Sequence, residues 1–166
     1  AVAGDSRVMD GQTAARVADA VVQFSREMHD ESRGRVGLHG MGAAMAFVLI
    51  RGMKAMVGHI GDSRAYLMRD GALSQLTADH TLARYLREAG LSQRTGNHAQ
   101  QGRLTRLVGM PETLPPEMRL ADLQTGDRLL LCTDGLSASL SVDQLRQMLE
   151  DELDPTETCQ EMVDTV

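Results

Sequence analysis

A continuous apolar run, residues 43–50, and a largely apolar one, residues 55–60, separated by Arg51-Gly52-Met53-Lys54, constrain the fold more than any other feature of the sequence. Runs this short and bounded by glycine read as buried strands joined in a hairpin. Gly61-Asp62 then breaks the pattern, residues 65–68 form a third strand, and Asp70-Gly71 supplies the two-residue turn to a short return strand at 73–76. A further strand at 127–132 opens polar, reads as buried on both faces and stops at Asp134-Gly135. Before the strands, Ala14, Val17, Ala18, Val21, Val22 and Phe24 recur at helical spacing and predict a helix over 10–28, with Asp10 as N-cap and a loop at 30–37. Later helices are expected at 81–89, closed by Gly90, at 141–150, opened by a Ser141/Gln144 capping box, and at 155–166, with one more helical turn at 104–108. Strands grouped in the middle with helices at both ends predict a single α+β domain over residues 1–166, because a βαβ alternation would place a helix after each strand.

Composition excludes several function classes. The net charge is −6 and no basic run is interleaved with aromatics, so a nucleic-acid partner is not expected. The longest apolar stretch, 40–50, is too short to span a bilayer, and residues 1–5 lack the basic and apolar regions of a signal peptide. Two cysteines, Cys132 and Cys159, form no disulfide framework or zinc cluster, which fits a reduced, cytoplasmic setting. With only 2% aromatics, the core must be filled by Leu, Val, Ala and the 11 Met.

Two acidic residues stand where chemistry is possible. Asp62 lies at a glycine-flanked tip between strands, and Asp134 follows a buried strand and precedes Gly135. Carboxylates on such rigid supports suit hard divalent cations, although Gly-Asp and Asp-Gly are also ordinary turn dipeptides. His80 reads as a turn-capping residue, and Cys132, with no basic neighbour in sequence, as an inert core thiol. Arg64 and Arg106 are open between contacting phosphate and capping carboxylates.

Residues 58–66 (Gly-His-Ile-Gly-Asp-Ser-Arg-Ala-Tyr) and 129–136 (Leu-Leu-Leu-Cys-Thr-Asp-Gly-Leu) resemble signatures of bacterial metal-dependent protein phosphatases of the 2C type. The Thr77-Ala78-Asp79-His80 and Leu104-Thr105-Arg106 segments resemble two more, and Gly40-Met41-Gly42-Ala43-Ala44 a fifth, with alanines in place of two threonines. The resemblance implies an antiparallel β-sandwich flanked by helices on both sides. It also implies hydrolysis of phosphoserine and phosphothreonine in proteins by water activated on Mn²⁺ or Mg²⁺, two or three ions in all, in kinase-linked signalling. Carried over, Asp134 would be a metal ligand in the core of the site, Asp62 would help hold a further, weaker ion, and residues 82–101 would be a mobile flap beside the cleft.

The family pattern is not complete. Its aspartate-glycine-methionine-glycine-glycine-histidine motif should follow Ala1-Val2-Ala3, where the sequence reads Gly4-Asp5-Ser6-Arg7-Val8-Met9-Asp10-Gly11. Asp5 is the candidate that stands in for the lost bridging carboxylate, with Asp10 as its alternative, and neither occupies the matched place. The opening strands and the closing aspartate-asparagine motif would lie before Ala1 and after Val166. The alternative expectation is therefore a pseudophosphatase that keeps the fold and acts as a binding or regulatory module.

Overall fold

The computed structural model of the chain describes residues 11–91, 102–151 and 154–166. Helix α1 (Gly11–Gly34) leads into β1 (Met45–Arg51) and β2 (Lys54–Ile60), which pair antiparallel with Arg51 opposite Lys54 and Met45 opposite Ile60. The expected hairpin is present. Strand β3 (Arg64–Arg69) returns as β4 (Ala72–Gln75) through Asp70 and Gly71, both at positive φ (49° and 75°), as a type I′ turn requires. Helix α2 (Leu82–Glu88) follows, capped by the Thr81 side chain. Then come β5 (Glu117–Asp122), β6 (Arg128–Cys132), the one-turn helix α3 (Asp134–Ser137), α4 (Val142–Glu150) and α5 (Pro155–Asp164).

The strands form two antiparallel three-stranded sheets, ordered β1-β2-β5 and β4-β3-β6, which meet where β1 lies against β3 and β6. Alternation along β3 and β6 decides what covers the second sheet. Tyr66, Met68 and Leu130 point to one face and pack with Leu140, Leu145 and Leu149 of the α4 region and Met162 of α5. The Ser141/Gln144 capping box that starts α4 is formed, and Asp154 with Pro155 starts α5. On the first sheet, Val17, Val21 and Phe24 of α1 face Met45, Phe47 and Leu49 of β1 across an apolar groove of about 830 Å³. The layered α+β architecture with helices outside both sheets is the one expected. Met56, Met68 and Met162 are buried in it, as the shortage of aromatics requires.

Four local expectations need correction. α1 runs on to Gly34 rather than ending at 28, because Ser32 bonds back to the His29 carbonyl and Glu31 pairs with Arg35 one turn on. Residues 104–108 make no helical turn; Leu104 and Val108 instead bridge to Thr81 and Ala43. Neither β1 nor β6 is buried on both faces, since Leu49, Ile50 and Leu131 are exposed. Strand β5 has no counterpart in the sequence reading. Residues 92–101 of the expected flap lie outside the described residues.

Candidate active site

The turn between β2 and β3 is built around Gly61. Its φ of +98° is one that L side chains rarely adopt, and a Cβ there would lie 2.6 Å from Ala44 Cβ and 2.9 Å from Ala44 Cα. This close approach lets the start of β1 pass directly beside the tip that carries Asp62. At the far end of β3's other neighbour, β6 stops and Asp134 occupies the first turn of α3, next to Thr133. Because Arg64 pairs with Cys132 across β3 and β6, the Asp62 tip and the Asp134 turn emerge at the same end of the second sheet.

The electrostatics agree with this placement. Burial pushes the Asp62 carboxyl above its ordinary range, and the Asp134 and Asp79 carboxylates push it further, against the pull of its own backbone N–H and of Arg64. Arg64 is already committed to Asp79 through a bidentate contact at 2.6–3.2 Å, and it also donates to the Tyr66 hydroxyl at 3.1 Å. Of its two open roles, capping a carboxylate is the one observed. Cys132 is half-buried against the core cluster, and burial raises its thiol pKa. Asp5 and its alternative Asp10 lie outside the described residues.

Directly behind Asp62, four consecutive residues, Thr77 to His80, bind the β2–β3 unit, and the next, Thr81, turns to α2. The Thr77 hydroxyl accepts from the Ala65 N–H, the Ala78 carbonyl lies 2.9 Å from His59 Nε2, and Asp79 holds Arg64. His80 Nδ1 accepts from the Gly61 N–H at 3.0 Å while the His80 N–H donates to the Gly61 carbonyl at 2.9 Å, and Thr81 caps α2. With Nδ1 accepting, the His80 proton sits on Nε2, 3.3 Å from Glu117 Oε2. Burial first, then the nearby Arg106 charge, lowers the His80 pKa to about 4. His59 stacks on His80 with ring centroids 4.6 Å apart.

His59, His80 and Glu117 bring one nitrogen or oxygen each to within 4.8 Å of one another, a grouping that could hold a cation. Two arginines already stand there. Arg84 Nη1 is 3.6 Å from Glu117 Oε2, and Arg106 Nη1 is 3.2 Å from His80 Nε2, with its other nitrogen bonded to the Pro115 carbonyl. Burial raises the Glu117 pKa, but His80 and Arg84 outweigh it and the net shift is downward. The cluster is a hydrogen-bonded buttress whose positive charge comes from arginine. Sequence reasoning found His80 as a turn residue but missed His59, Arg84 and Glu117; Glu117 enters only through the pairing of β5 with β2, where it stands opposite His59.

The His80 shift has a sign that can be tested. The unfolded chain takes up this proton near the ordinary histidine value of about 6.5, the folded chain only near 4. Between those limits the unfolded state binds more protons, so stability falls as pH drops from about 6.5 to 4 and is unaffected by this group above that window. The full difference corresponds to roughly 3 kcal/mol, and solvent screening reduces the expected loss to roughly 2 kcal/mol. In denaturant titrations across pH, the stability difference between the wild type and His80→Asn should change with pH only inside that window.

Comparison with known proteins agrees with this geometry. A family profile described as Protein phosphatase 2C matches residues 5–165. The serine/threonine protein phosphatase PstP of Mycobacterium tuberculosis is 32% identical over 139 residues, covering 82% of this chain and 26% of PstP. A putative protein phosphatase 2C-type of Streptococcus pyogenes is 33% identical over 127 residues, covering 75% of this chain and 52% of that protein. Among solved structures, the S. agalactiae serine/threonine phosphatase superposes with a TM-score of 0.85 at 25% identity, covering 93% of this chain and 64% of that one. The chain thus spans a quarter to a half of the curated relatives named here. The fold, the paired carboxylates and the match over nearly the whole sequence lead to one conclusion: the chain belongs to the protein phosphatase 2C family.

Proposed function

We propose that this chain forms part of a metal-dependent protein phosphatase that hydrolyses phosphoserine and phosphothreonine in proteins. The observation that carries the reading is the placement of Asp62 and Asp134 at one end of the second sheet by the β3–β6 register, with the Asp134 charge adding to the upward push of burial on the Asp62 carboxyl. Like charges held together on rigid turns leave an electrostatic deficit that a hard dication relieves, and the donors are oxygens, as Mn²⁺ and Mg²⁺ prefer. The donor set therefore fits, with Asp134 and Asp62 as the ligands among the described residues and Asp5 as the further ligand proposed from sequence. A relative supports the choice of metal: the PstP catalytic domain has been solved in complex with two manganese ions. Bound metal would lower the pKa of a water and neutralise phosphoryl oxygens. The chain's own residues hold the carboxylates in place: Gly61 sets the tip that bears Asp62, and α3 fixes Asp134.

An opposing protein kinase, which makes the phosphoprotein substrate, is the partner this reading implies. The two free cysteines, Cys132 and Cys159, are in keeping with a reduced, cytoplasmic setting. Among the described residues no helix is long and apolar enough to cross a membrane.

The test is hydrolysis of a phosphothreonine peptide with and without Mn²⁺. Turnover should require the metal, disappear with a chelator and survive alkylation, even though Cys159 is exposed and will react. Loss of turnover on alkylation, with chelation having no effect, would point to a cysteine-based phosphatase instead.

A further inference from the structure

We propose that His80 is a positioning residue for Asp62: its imidazole and its backbone N–H together clamp Gly61, so that the carboxylate one residue further on is held in its metal-binding orientation. The inference rests on the reading of Asp62 as a metal ligand. Both polar groups of Gly61 are taken by the same residue, the N–H by Nδ1 at 3.0 Å and the carbonyl by the His80 N–H at 2.9 Å. The imidazole cannot turn away, because His59 stacks on one side and Nε2–H faces Glu117. Its backbone is fixed as well, since the His80 carbonyl accepts from the Thr105 N–H at 2.8 Å. Glycine at φ +98° has no side chain to restrict it, so without this clamp the tip would sample other conformations and Asp62 would swing with it. Thr81, the next residue, caps α2, so the clamp also ties the orientation of α2 to the Asp62 tip.

The two ring nitrogens can be tested separately. In His80→Asn the amide oxygen falls near the position of Nδ1 and keeps an acceptor for Gly61; in His80→Gln the amide reaches toward Glu117 and leaves Gly61 without one. Mn²⁺ binding, followed by titration calorimetry and by loss of the free-ion electron paramagnetic resonance signal, should stay within about twofold of wild type in the Asn variant. In the Gln variant it should weaken about tenfold, the order of loss seen when residues behind a metal ligand are changed. Equal weakening in both, or none in the Gln variant, overturns the proposal. Asp62→Asn is the control for the underlying reading: if it binds Mn²⁺ as wild type does, Asp62 is not a ligand and that reading fails first. If it weakens binding, adding His80→Gln to it should weaken binding no further, because the histidine acts through the lost carboxylate. Should the Gln variant not fold, the wild-type chain still decides. By reciprocity, Mg²⁺ should slow amide exchange at Gly61 by the same factor by which the clamp favours the metal. Unchanged exchange at Gly61 with Mg²⁺ saturating overturns the proposal.

Discussion

Replacing Gly61 with alanine is expected to destabilise the domain by roughly 3–5 kcal/mol and to abolish metal binding at the Asp62 tip. Two costs add at this position. A non-glycine residue at φ +98° carries strain of about 1–3 kcal/mol, and the new methyl would meet Ala44 at 2.6 Å and 2.9 Å. The nearer atom is a Cβ fixed to its backbone and the other is backbone itself, so relief requires moving the start of β1 or the tip. Gly126→Ala is the matched control. Its φ is +92°, nearly the same, but a Cβ there meets nothing within 4 Å, so it should show the conformational strain without the collision. Denaturant unfolding of both variants separates the two terms. A Gly61→Ala chain no less stable than Gly126→Ala would mean that β1 yields freely and that the close approach does not fix the tip.

Asp134→Asn should act in the opposite way on stability and on function. The change keeps size and shape, so packing around α3 is preserved. Without metal, it removes one of the charges that push Asp62 upward, and the variant is expected to be as stable as wild type or slightly more so. With metal, the loss of an anionic ligand should weaken Mn²⁺ binding on the order of 100-fold and reduce phosphopeptide turnover at least as much. Calorimetry with Mn²⁺ and thermal unfolding in chelator are the paired measurements. Equal heats for wild type and variant would remove Asp134 from the site. A large loss of metal-free stability would make it a structural residue. Active sites commonly hold charge arrangements that destabilise the empty protein, and this pair has that form.

The sequence was most legible where structure is local. The β1–β2 hairpin, the Asp70-Gly71 turn and the capping box at Ser141 are each set by residues within a few positions of one another, and each was found. Strand β5 was not, because its register is set by β2, about 60 positions earlier, and it is largely exposed, with only Met118 and Ala121 half-buried. A strand without an apolar alternation leaves little period to detect. Residues 104–108 misled for a related reason: their apolar spacing is spent on bridges to Thr81 and Ala43 rather than on a helix face. The proposed ligands Asp62 and Asp134 stand out in the sequence through their glycine neighbours and their family context. The buttress behind them was only partly visible: His59, Arg84 and Glu117 join His80 and Arg106 from four separate stretches of the chain and meet only after the sheet forms.

The two tyrosines have a practical consequence. The chain has no tryptophan, so near-ultraviolet emission comes from Tyr66 and Tyr85 alone. Tyr66 is buried against α4 and α5 with its hydroxyl beside Arg64, whereas Tyr85 is 62% exposed on α2. A water-soluble quencher such as iodide reaches the second and not the first. Quenched and unquenched fractions of one emission band thus report separately on α2 and on the packed interior, so movement of α2 can be followed in the unlabelled, unmutated protein.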